Sequence, residues 1–374
     1  MRDVVIVGGG PVGTMLACVL AVGGLDVEVL ERRETPSLRS RAIGIHPPSL
    51  AALAEIGVAD ALLERAVRIR AGEVRCDGRQ LGALSFERAA PVYPFVVTLP
   101  QYETEALLRD RFDQLRPGRY RSGVTVTGLR DRGDAVQLAT TAGPVEARYV
   151  VGADGARSRV REQVGIGWRE VGGRETYLMG DFADPESRDA DAVLYFERGG
   201  VVESFPLPGA RRRWVAMTDH LAADADSADL AALIHHRTGV GVAEPLGPAS
   251  AFAVQQRLAA SMHSGRVVLV GDAAHQISPI GGQGMNLGWL DAVALRPALQ
   301  RALLEPGAAA SAVNGYDRTR RPAASRAARQ AGFNMAMGRP AHGMRLGARN
   351  ALVRGLTLPP ANELVARAFT MRWL

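Results

Sequence analysis

The start of the chain sets an apolar strand, a glycine-rich turn, a helix and a second strand in a fixed order. Residues 4–7 form an apolar run, and the segment 8–13 that follows fits G-x-G-x-x-G. The run 14–22 has the small and apolar residues of a buried helix, and 25–30 predicts a second strand that ends at Glu31. In this context the glycines let a pyrophosphate approach the helix N-terminus, and the acid accepts hydrogen bonds from ribose hydroxyls. The pattern therefore predicts a dinucleotide site in an α/β fold.

Two later strand ends carry an aspartate beside a glycine. The apolar run 267–270 leads into Gly271-Asp272, and a strand predicted at 145–151 leads into a segment that contains Asp154-Gly155. The glycine-rich run 279–288 then turns helical at about Leu287, so its N–H groups can face a flat or anionic ligand. A tight turn is the alternative for each junction alone. Together the junctions predict one nucleotide-binding fold assembled from discontinuous segments.

The composition restricts the chemistry and the partners. All 45 basic residues are arginine, which excludes lysine-based catalysis and a P-loop. After Tyr316 the chain has 11 arginines and two acids, a net charge of +9, so the overall +6 leaves −3 for residues 1–316. The basic excess is thus C-terminal, and with 5% aromatic residues a nucleic-acid groove has little support. Cys18 and Cys76 fit no disulfide or metal pattern, and no metal site is expected.

Further candidate ligand residues lie between these junctions. Arg32 and Arg41 follow the second strand, and Arg41 opens a segment of small residues that leads to His46. Gln101 begins an amphipathic helix predicted at 101–115, where its side chain can reach a ligand. A solvent-exposed glutamine is an equal alternative for that position.

The region from 169 to 265 changes character. Strands predicted at roughly 176–183, 192–198, 201–207 and 213–219 suggest a four-stranded antiparallel layer, which can cover a ligand with one face. Core packing is the default interpretation for the large side chains on these strands. The candidates for walls of a substrate pocket are Tyr195, Glu203, Phe205, Trp214 and Met217. The chain after Asp291 is predicted to be helical, with helix lengths limited by Pro297, Pro306, Pro322 and Pro340.

In this order, the G-x-G-x-x-G, Asp154-Gly155 and Gly271-Asp272 motifs resemble the class A flavin-dependent aromatic hydroxylases, the para-hydroxybenzoate hydroxylase-like family. The resemblance covers about residues 4–316 and implies an α/β fold. The expected parts are a glutathione-reductase-like FAD-binding Rossmann domain (1–66, 101–168 and 266–320), an inserted antiparallel-sheet substrate domain (67–100 and 169–265), and C-terminal helices (321–374).

The resemblance also implies which residues contact FAD. Glu31 is expected on the ADP ribose, Asp272 on the ribityl hydroxyls, and the loop that begins at Pro279 beside the flavin ring. The residues expected near the ring are Pro279, Gly281, Gly282 and His46. The full set of expected cofactor contacts is Gly8, Gly10, Pro11, Val12, Gly13, Glu31, Arg32, Arg41, Gln101, Val126, Asp154, Gly271, Asp272, Pro279, Gly282, Gly284, Met285 and Asn286.

The resemblance implies a monooxygenase that uses NAD(P)H. In the family, NAD(P)H reduces FAD, O₂ forms a C4a-hydroperoxide on the flavin, and an aromatic or polyketide-like small molecule is hydroxylated. The nicotinamide donor binds transiently, so no second nucleotide fingerprint is required. The sequence identifies no general base for a phenol, and His275 is interpreted as structural. A flavin halogenase is disfavoured because the chain has no lysine and no Trp-x-Trp pair.

Three other functions stay open at this stage. The first is an FAD-dependent reductase of isoprenoid double bonds or a flavin oxidase, the second an NAD-dependent dehydrogenase, and the third a non-catalytic flavin-binding protein. We expect a cytoplasmic monomer or homodimer, since no apolar run of membrane-spanning length occurs and the first strand begins near Asp3. The basic C-terminal segment could contact an anionic membrane, but packing on the flavin domain is the favoured interpretation.

Overall fold

A computed structural model describes residues 1–37, 42–88, 90–185 and 191–372 of the chain. The predicted cofactor contact Arg41 lies outside these described residues. All structural statements below concern the described ranges.

The secondary structure alternates between the two kinds of element expected of an α/β protein. The strands are β1 (Arg2–Val7), β2 (Val27–Leu30), β3 (Gly44–Ile45), β4 (Val67–Ile69), β5 (Ala71–Cys76), β6 (Arg79–Ser85), β7 (Val96–Thr98), β8 (Tyr120–Arg121), β9 (Val126–Asp131), β10 (Val136–Thr140), β11 (Val145–Gly152), β12 (Trp168–Gly172), β13 (Thr176–Ala183), β14 (Ala192–Glu197), β15 (Gly200–Leu207), β16 (Arg211–Thr218), β17 (Ser250–Ala253), β18 (Gln256–Ala259), β19 (His263–Ser264), β20 (Val267–Leu269) and β21 (His275–Gln276). The helices are α1 (Pro11–Val22), α2 (Pro47–Glu55), α3 (Ala59–Arg65), α4 (Gln101–Leu115), α5 (Arg159–Gln163), α6 (Ser227–Thr238), α7 (Gln283–Leu304), α8 (Ala309–Gly338), α9 (Gly343–Leu356) and α10 (Ala361–Phe369), with short 3₁₀ turns at Gly271–Ala273 and Pro306–Ala308.

A parallel sheet brings the three sequence motifs to one edge. Its central order is β20-β11-β1-β2-β8, and each neighbouring pair in this series is parallel. The carboxyl ends of β1, β11 and β20 therefore lie side by side, followed respectively by Gly8, Asp154 and Gly271. This arrangement confirms the predicted α/β fold with a Rossmann-like sheet.

Close packing at the first motif explains two of its glycines. A Cβ on Gly13 would lie 1.9 Å from the carbonyl oxygen of Gly8, so any side chain there would push α1 away from β1. Gly8 itself has φ +107°, a conformation that residues with a Cβ rarely adopt, and it packs directly on the backbone of Ala153. The helix can thus start immediately over the end of the strand.

The second large sheet is wider than the sequence predicts. It has seven strands in the order β17-β13-β16-β15-β14-β5-β6, not the four expected. The hairpin of β5 and β6, which turns at Asp77-Gly78, joins through parallel pairing of β5 with β14. The hairpin is more than a hundred residues away from β14 in the sequence, so no local pattern indicates this pairing. The domain limits drawn from the sequence remain a prediction.

The C-terminal helices are longer than the proline positions predict. Pro297 lies inside α7 and Pro322 inside α8, so the expectation that these two residues end helices is wrong. Apolar residues on both sides of Pro297, including Leu295 and Leu299, are fully buried, and this burial offsets the hydrogen bond that proline removes. In the described ranges, no helix combines the length and apolar character needed to cross a membrane.

A buried ionic cluster joins α7 and α8 to the tip of β20. The Asp291 carboxylate accepts hydrogen bonds from the Gly271 N–H at 3.2 Å and from Arg320 Nε at 2.8 Å, and it also pairs with His275. Burial alone would raise the pKa of Asp291, but the charges and hydrogen bonds of His275 and Arg320 hold that pKa below its usual value. Asp291 therefore stays ionised and fixes the strand end that carries Asp272.

We expect Asp291→Ala to destabilise the protein by about 3–5 kcal/mol, because Arg320 would be left buried without its anion. Urea denaturation of both proteins measures the difference. As a control, Glu305→Ala removes an exposed pair with Arg301 and should change stability by less than about 0.5 kcal/mol. Equal effects of the two substitutions would show that the cluster does not stabilise the fold.

Candidate functional site

A cavity of about 720 Å³ lies over the carboxyl ends of β1, β11 and β20. Gly10 and Asp272, which are far apart in the sequence, both line it. Ligand sites of open parallel sheets lie at this edge, outside the carboxyl ends of the strands. The position of the cavity is therefore the one expected for a dinucleotide.

Fourteen of the eighteen residues predicted to contact a cofactor line this cavity. Arg41 is outside the described residues, and the other three exceptions stand behind the cavity wall. Gly13 packs α1 on β1, and Gly271 allows a close approach to Val12, whose methyl group would lie 3.0 Å from a Cβ. Asn286 connects the loops around the cavity. The roles of all these residues in cofactor binding remain predictions.

The Glu31 carboxylate is held at the end of β2. Its Oε2 accepts a hydrogen bond from the Gly9 N–H at 2.7 Å, and its Oε1 accepts from the backbone N–H and the Nε of Arg33 at 2.9 and 3.0 Å. Burial by itself raises the pKa of Glu31, but these hydrogen bonds outweigh it and leave the pKa below the usual value. The group is thus a fixed anion that can accept further hydrogen bonds from hydroxyl groups.

Two helix N-termini meet the cavity without side-chain caps. Gly10 precedes α1 and Gly282 precedes α7. A glycine has no side chain, so neither capping residue can accept a hydrogen bond from the first N–H groups of its helix. The first N–H groups of each helix are consequently available for an anionic or polar ligand, which the helix dipoles also favour. A Cβ on Gly10 would meet no atom within 4 Å, so the backbone there borders open space.

Asp154 shapes the middle of the cavity. Its Oδ2 accepts hydrogen bonds from the N–H groups of Arg159 at 2.8 Å and Val160 at 3.2 Å, which caps α5. Its Oδ1 is buried and has no hydrogen-bond partner among the described residues. The sequence suggested only a ligand contact here, and the structure adds this capping role.

Asn286 and His46 hold the glycine loop before α7. Asn286 accepts a hydrogen bond from the His46 N–H at 2.9 Å and donates to the carbonyl oxygens of Gly44 and Gly282 at 2.9 and 2.6 Å. His46 Nε2 lies 3.0 Å from the Gly281 carbonyl oxygen, which can only accept, so Nε2 carries the proton. Burial lowers the pKa of His46 to about 4, and its imidazole is neutral near pH 7.

A second, smaller cavity of about 120 Å³ adjoins the first. Ala42, Phe252, Pro279 and Gly282 line both cavities. One wall of the small cavity is a face of the seven-stranded sheet, and the opposite wall includes His46 and the loop at Gly281. Most of its exposed surface is apolar, which suits an organic molecule with few polar groups.

The predicted pocket residues divide between the two faces of the sheet. Glu203 and Phe205 line the small cavity. Met217 packs beside it with Tyr177 in an apolar cluster. Tyr195 and Trp214 stack on each other, with ring centroids 5.9 Å apart, on the opposite face. This placement corrects the expectation for Tyr195 and Trp214, because neighbouring positions of a strand point to opposite sides.

Sequence reasoning missed Phe369, which closes one side of the small cavity. Its ring stacks on Phe86 at 5.5 Å and meets the His46 ring edge to face at 5.7 Å. Phe369 ends α10, far from both partners in the sequence, and no motif marks it. Arg213 was missed as well; it lines the cavity and forms a paired hydrogen bond with Asp181 at 2.7 and 2.8 Å.

Glu203 is the unusual polar group of the small cavity. The side chain is buried, and none of the described residues donates a hydrogen bond to its carboxyl or forms an ion pair with it. Burial raises the pKa of Glu203 to about 8. The carboxyl is consequently neutral between about pH 4.5 and 8, where the same group in the unfolded chain is ionised.

This difference predicts a pH-dependent stability. The pKa of Glu203 rises from 4.5 to about 8 on folding, so its contribution is complete below pH 4.5 and is lost as the pH rises towards 8. Relative to the wild type, the free energy of unfolding of Glu203→Gln should increase by on the order of 1 kcal/mol for each unit that the pH rises across this window. Urea denaturation of both proteins at several pH values measures this difference in stability. A difference that does not change with pH would contradict the prediction.

Comparison with known proteins identifies the family. A model of a family described as an FAD binding domain matches residues 1–331. The 6-methylpretetramide 4-monooxygenase of Streptomyces rimosus is 36% identical over 78% of this chain and 54% of its own length. A rifampicin monooxygenase of Streptomyces venezuelae is 34% identical over 78% of this chain and 62% of its own length. The chain thus spans a little over half the length of these two relatives.

Solved structures agree with this comparison. The crystal structure of p-nitrophenol 4-monooxygenase PnpA from Pseudomonas putida DLL-E4 matches with a TM-score of 0.88 at 26% identity, over 99% of this chain and 98% of that one. The similarity includes both large sheets and the C-terminal helices, since nearly the whole chain is aligned. Because the family model matches most of the sequence, the chain belongs to the family of FAD-binding domains.

Proposed function

We propose that this protein is an FAD-dependent monooxygenase that hydroxylates an aromatic or polyketide-like small molecule with NAD(P)H and O₂. The observation that carries the proposal is the apolar cavity of about 120 Å³ that adjoins the larger cavity across Pro279 and Gly282. A substrate there would lie directly beside the end of a cofactor placed under the α7 N-terminus. The names of the similar monooxygenases support the same chemistry.

The residues of the large cavity fit FAD, the cofactor of the family. We infer that the ADP part lies between Glu31 and the N-terminus of α1, where the backbone at Gly10 borders open space. Asp272 would face the ribityl hydroxyls, and Gly284 and Met285 would face the pyrimidine side of the ring. The Asp154 Oδ1, which lacks a partner among the described residues, offers a further acceptor at the cavity wall.

Bound FAD would supply hydride acceptance from the nicotinamide and activation of O₂. The chain supplies the surroundings of that chemistry. The uncapped N–H groups at the start of α7 favour negative charge on a reduced ring. The apolar walls of the small cavity, such as Val215 and Phe205, exclude water from the substrate. The imidazole of His46 places no positive charge against the ring, because the low pKa of His46 keeps the imidazole neutral.

An oxygen-labelling experiment tests the proposed function. Purified protein loaded with FAD should oxidise NADH or NADPH faster when a suitable phenol or polycyclic substrate is added. With ¹⁸O₂, the product should carry one labelled oxygen atom. Turnover without O₂ would favour a reductase of double bonds, and hydrogen peroxide without a labelled product would favour an oxidase. A protein that binds FAD but never responds to a substrate would favour a non-catalytic role.

Gly10→Val should abolish FAD binding without unfolding the protein. The added side chain would point into open space beside the α1 N-terminus and occupy the path of the pyrophosphate. We expect a colourless protein after FAD addition and gel filtration, with a native circular dichroism spectrum. Gly167→Val is the control, since Gly167 also has no atom near its Cβ position but does not line the cavity. Retention of FAD by the Gly10 variant would place the dinucleotide elsewhere.

A further inference from the structure

We propose that Glu203 accepts the proton of a substrate hydroxyl group, which makes it the general base of the small cavity and selects a phenolic ring as the substrate. This inference rests on the proposed function for the reaction that follows. Glu203 lies across the small cavity from the loop at Gly281. Its carboxyl has no hydrogen-bond or ion-pair partner among the described residues, and the proposal gives it a role.

The sheet register directs Glu203 into the cavity. Glu203 is paired with Val215 on one side and Leu194 on the other, and Phe205 is paired with Arg213. All five residues line the cavity, so they form one continuous face of the sheet. The carboxyl therefore belongs to the wall that a substrate would contact.

The other ionisable groups near Glu203 are already paired, are weak bases or do not line the cavity. Arg213 is bonded to Asp181, and Glu73 is bonded to Arg75 at 2.8 Å. His46 donates through Nε2 to Gly281, and its buried Nδ1, which has no partner among the described residues, is a weak base because burial lowers the pKa of His46 to about 4. Tyr177 lies close enough for Glu203 to raise its pKa further, and its hydroxyl has no hydrogen-bond partner among the described residues. Tyr177 does not line the cavity. Glu73 does, but its neighbour Val74 and the paired Leu194 face the cavity, so the Glu73 side chain points to the other side of the sheet and Glu203 is the carboxyl directed at a ligand.

The basicity of Glu203 suits a phenol. An ordinary glutamate has a pKa of about 4.3 and a phenol hydroxyl about 10, a gap of roughly six units that opposes proton transfer. Burial raises the pKa of Glu203 to about 8, so its carboxylate is a much stronger base than that of an ordinary glutamate. In the step, the substrate O–H bond breaks and a new O–H bond forms on the Glu203 carboxylate. The electron pair stays on the substrate oxygen, where it makes the ring more electron-rich, and nothing is oxidised or reduced.

The size of the cavity limits what reaches this carboxyl. A dry cavity of roughly 150 Å³ is large enough for benzene in a protein interior. The cavity here has about 120 Å³, which is comparable to the space that one aromatic ring needs. The occupant next to Glu203 is therefore a single phenolic ring, alone or as the end of a larger molecule.

A binding experiment without NAD(P)H tests the proposal. Phenol and anisole are titrated into FAD-loaded protein, and the perturbation of the visible flavin spectrum gives each dissociation constant. At pH 8.5, where Glu203 is mostly ionised, the wild type should prefer phenol by roughly tenfold or more, because anisole cannot donate a hydrogen bond to the carboxylate. Glu203→Gln and Glu203→Leu should both lose most of this preference. If Glu203→Gln does not retain FAD, the preference measured with Glu203→Leu tests the proposal.

Glu197→Gln is the matched control. Glu197 is another buried glutamate of the same sheet with a pKa raised by burial, but its carboxyl accepts from the Asp77 N–H and does not line the cavity. This variant should keep the wild-type preference for phenol. A wild type without the preference, or Glu203 variants that retain it, would overturn the proposal.

The pH dependence distinguishes a base from a structural residue. Because only ionised Glu203 accepts the proton, the affinity of the wild type for phenol should rise between pH 6.5 and 8.5, through the pKa of about 8, and the Gln variant should show no such rise. An affinity that falls over this range would mean that Glu203 acts as a neutral donor, which contradicts the proposal. These readouts need no turnover, so failure of ¹⁸O incorporation would reject the monooxygenase function without deciding the role of Glu203.

Discussion

The cofactor cavity depends on one buried carboxylate, Asp291, which fixes the strand end that follows β20. Its hydrogen bonds to Gly271, Arg320 and His275 join a strand tip and two long helices in one ionic cluster. Asn286 and Trp289 tie the same half of α7 to Gly44 and Pro11, and Asp291 ties it to the strand end. The cluster thereby sets the relative positions of Asp272 and the α7 N-terminus, which are the two groups proposed to hold the flavin end of FAD.

The parts of the fold that follow local rules could be predicted from the sequence. The first glycine motif, α4 at 101–115 and the strand ends that carry Asp154 and Asp272 all have signals within about twenty residues. Each depends on steric or capping requirements that act between neighbours in the chain, as at Gly8 and Gly13. The parallel sheet then follows because these junctions can share a ligand only when their strands lie side by side.

The remaining features depend on contacts between distant segments. The pairing of β5 with β14 and the approach of Phe369 to His46 join segments separated by more than a hundred residues. Pro322 was misjudged because a helix of 30 residues with a buried face tolerates the loss of one hydrogen bond. Tyr195 and Trp214 lie on the face of the sheet away from the small cavity, which the sequence could not show, since a strand pattern reveals alternation but not which side meets a ligand.

The loop from Pro279 to Gly282 forms part of the wall between the two cavities. Gly281 and Gly282 have positive φ values, and Gly282 together with Pro279 borders the cavity proposed for the cofactor and the cavity proposed for the substrate. Molecules bound in the two cavities would contact the same loop, so each would affect the binding of the other if it shifted that loop. If a bound substrate changes the affinity for FAD by some factor, bound FAD changes the affinity for the substrate by the same factor, because such coupling is reciprocal.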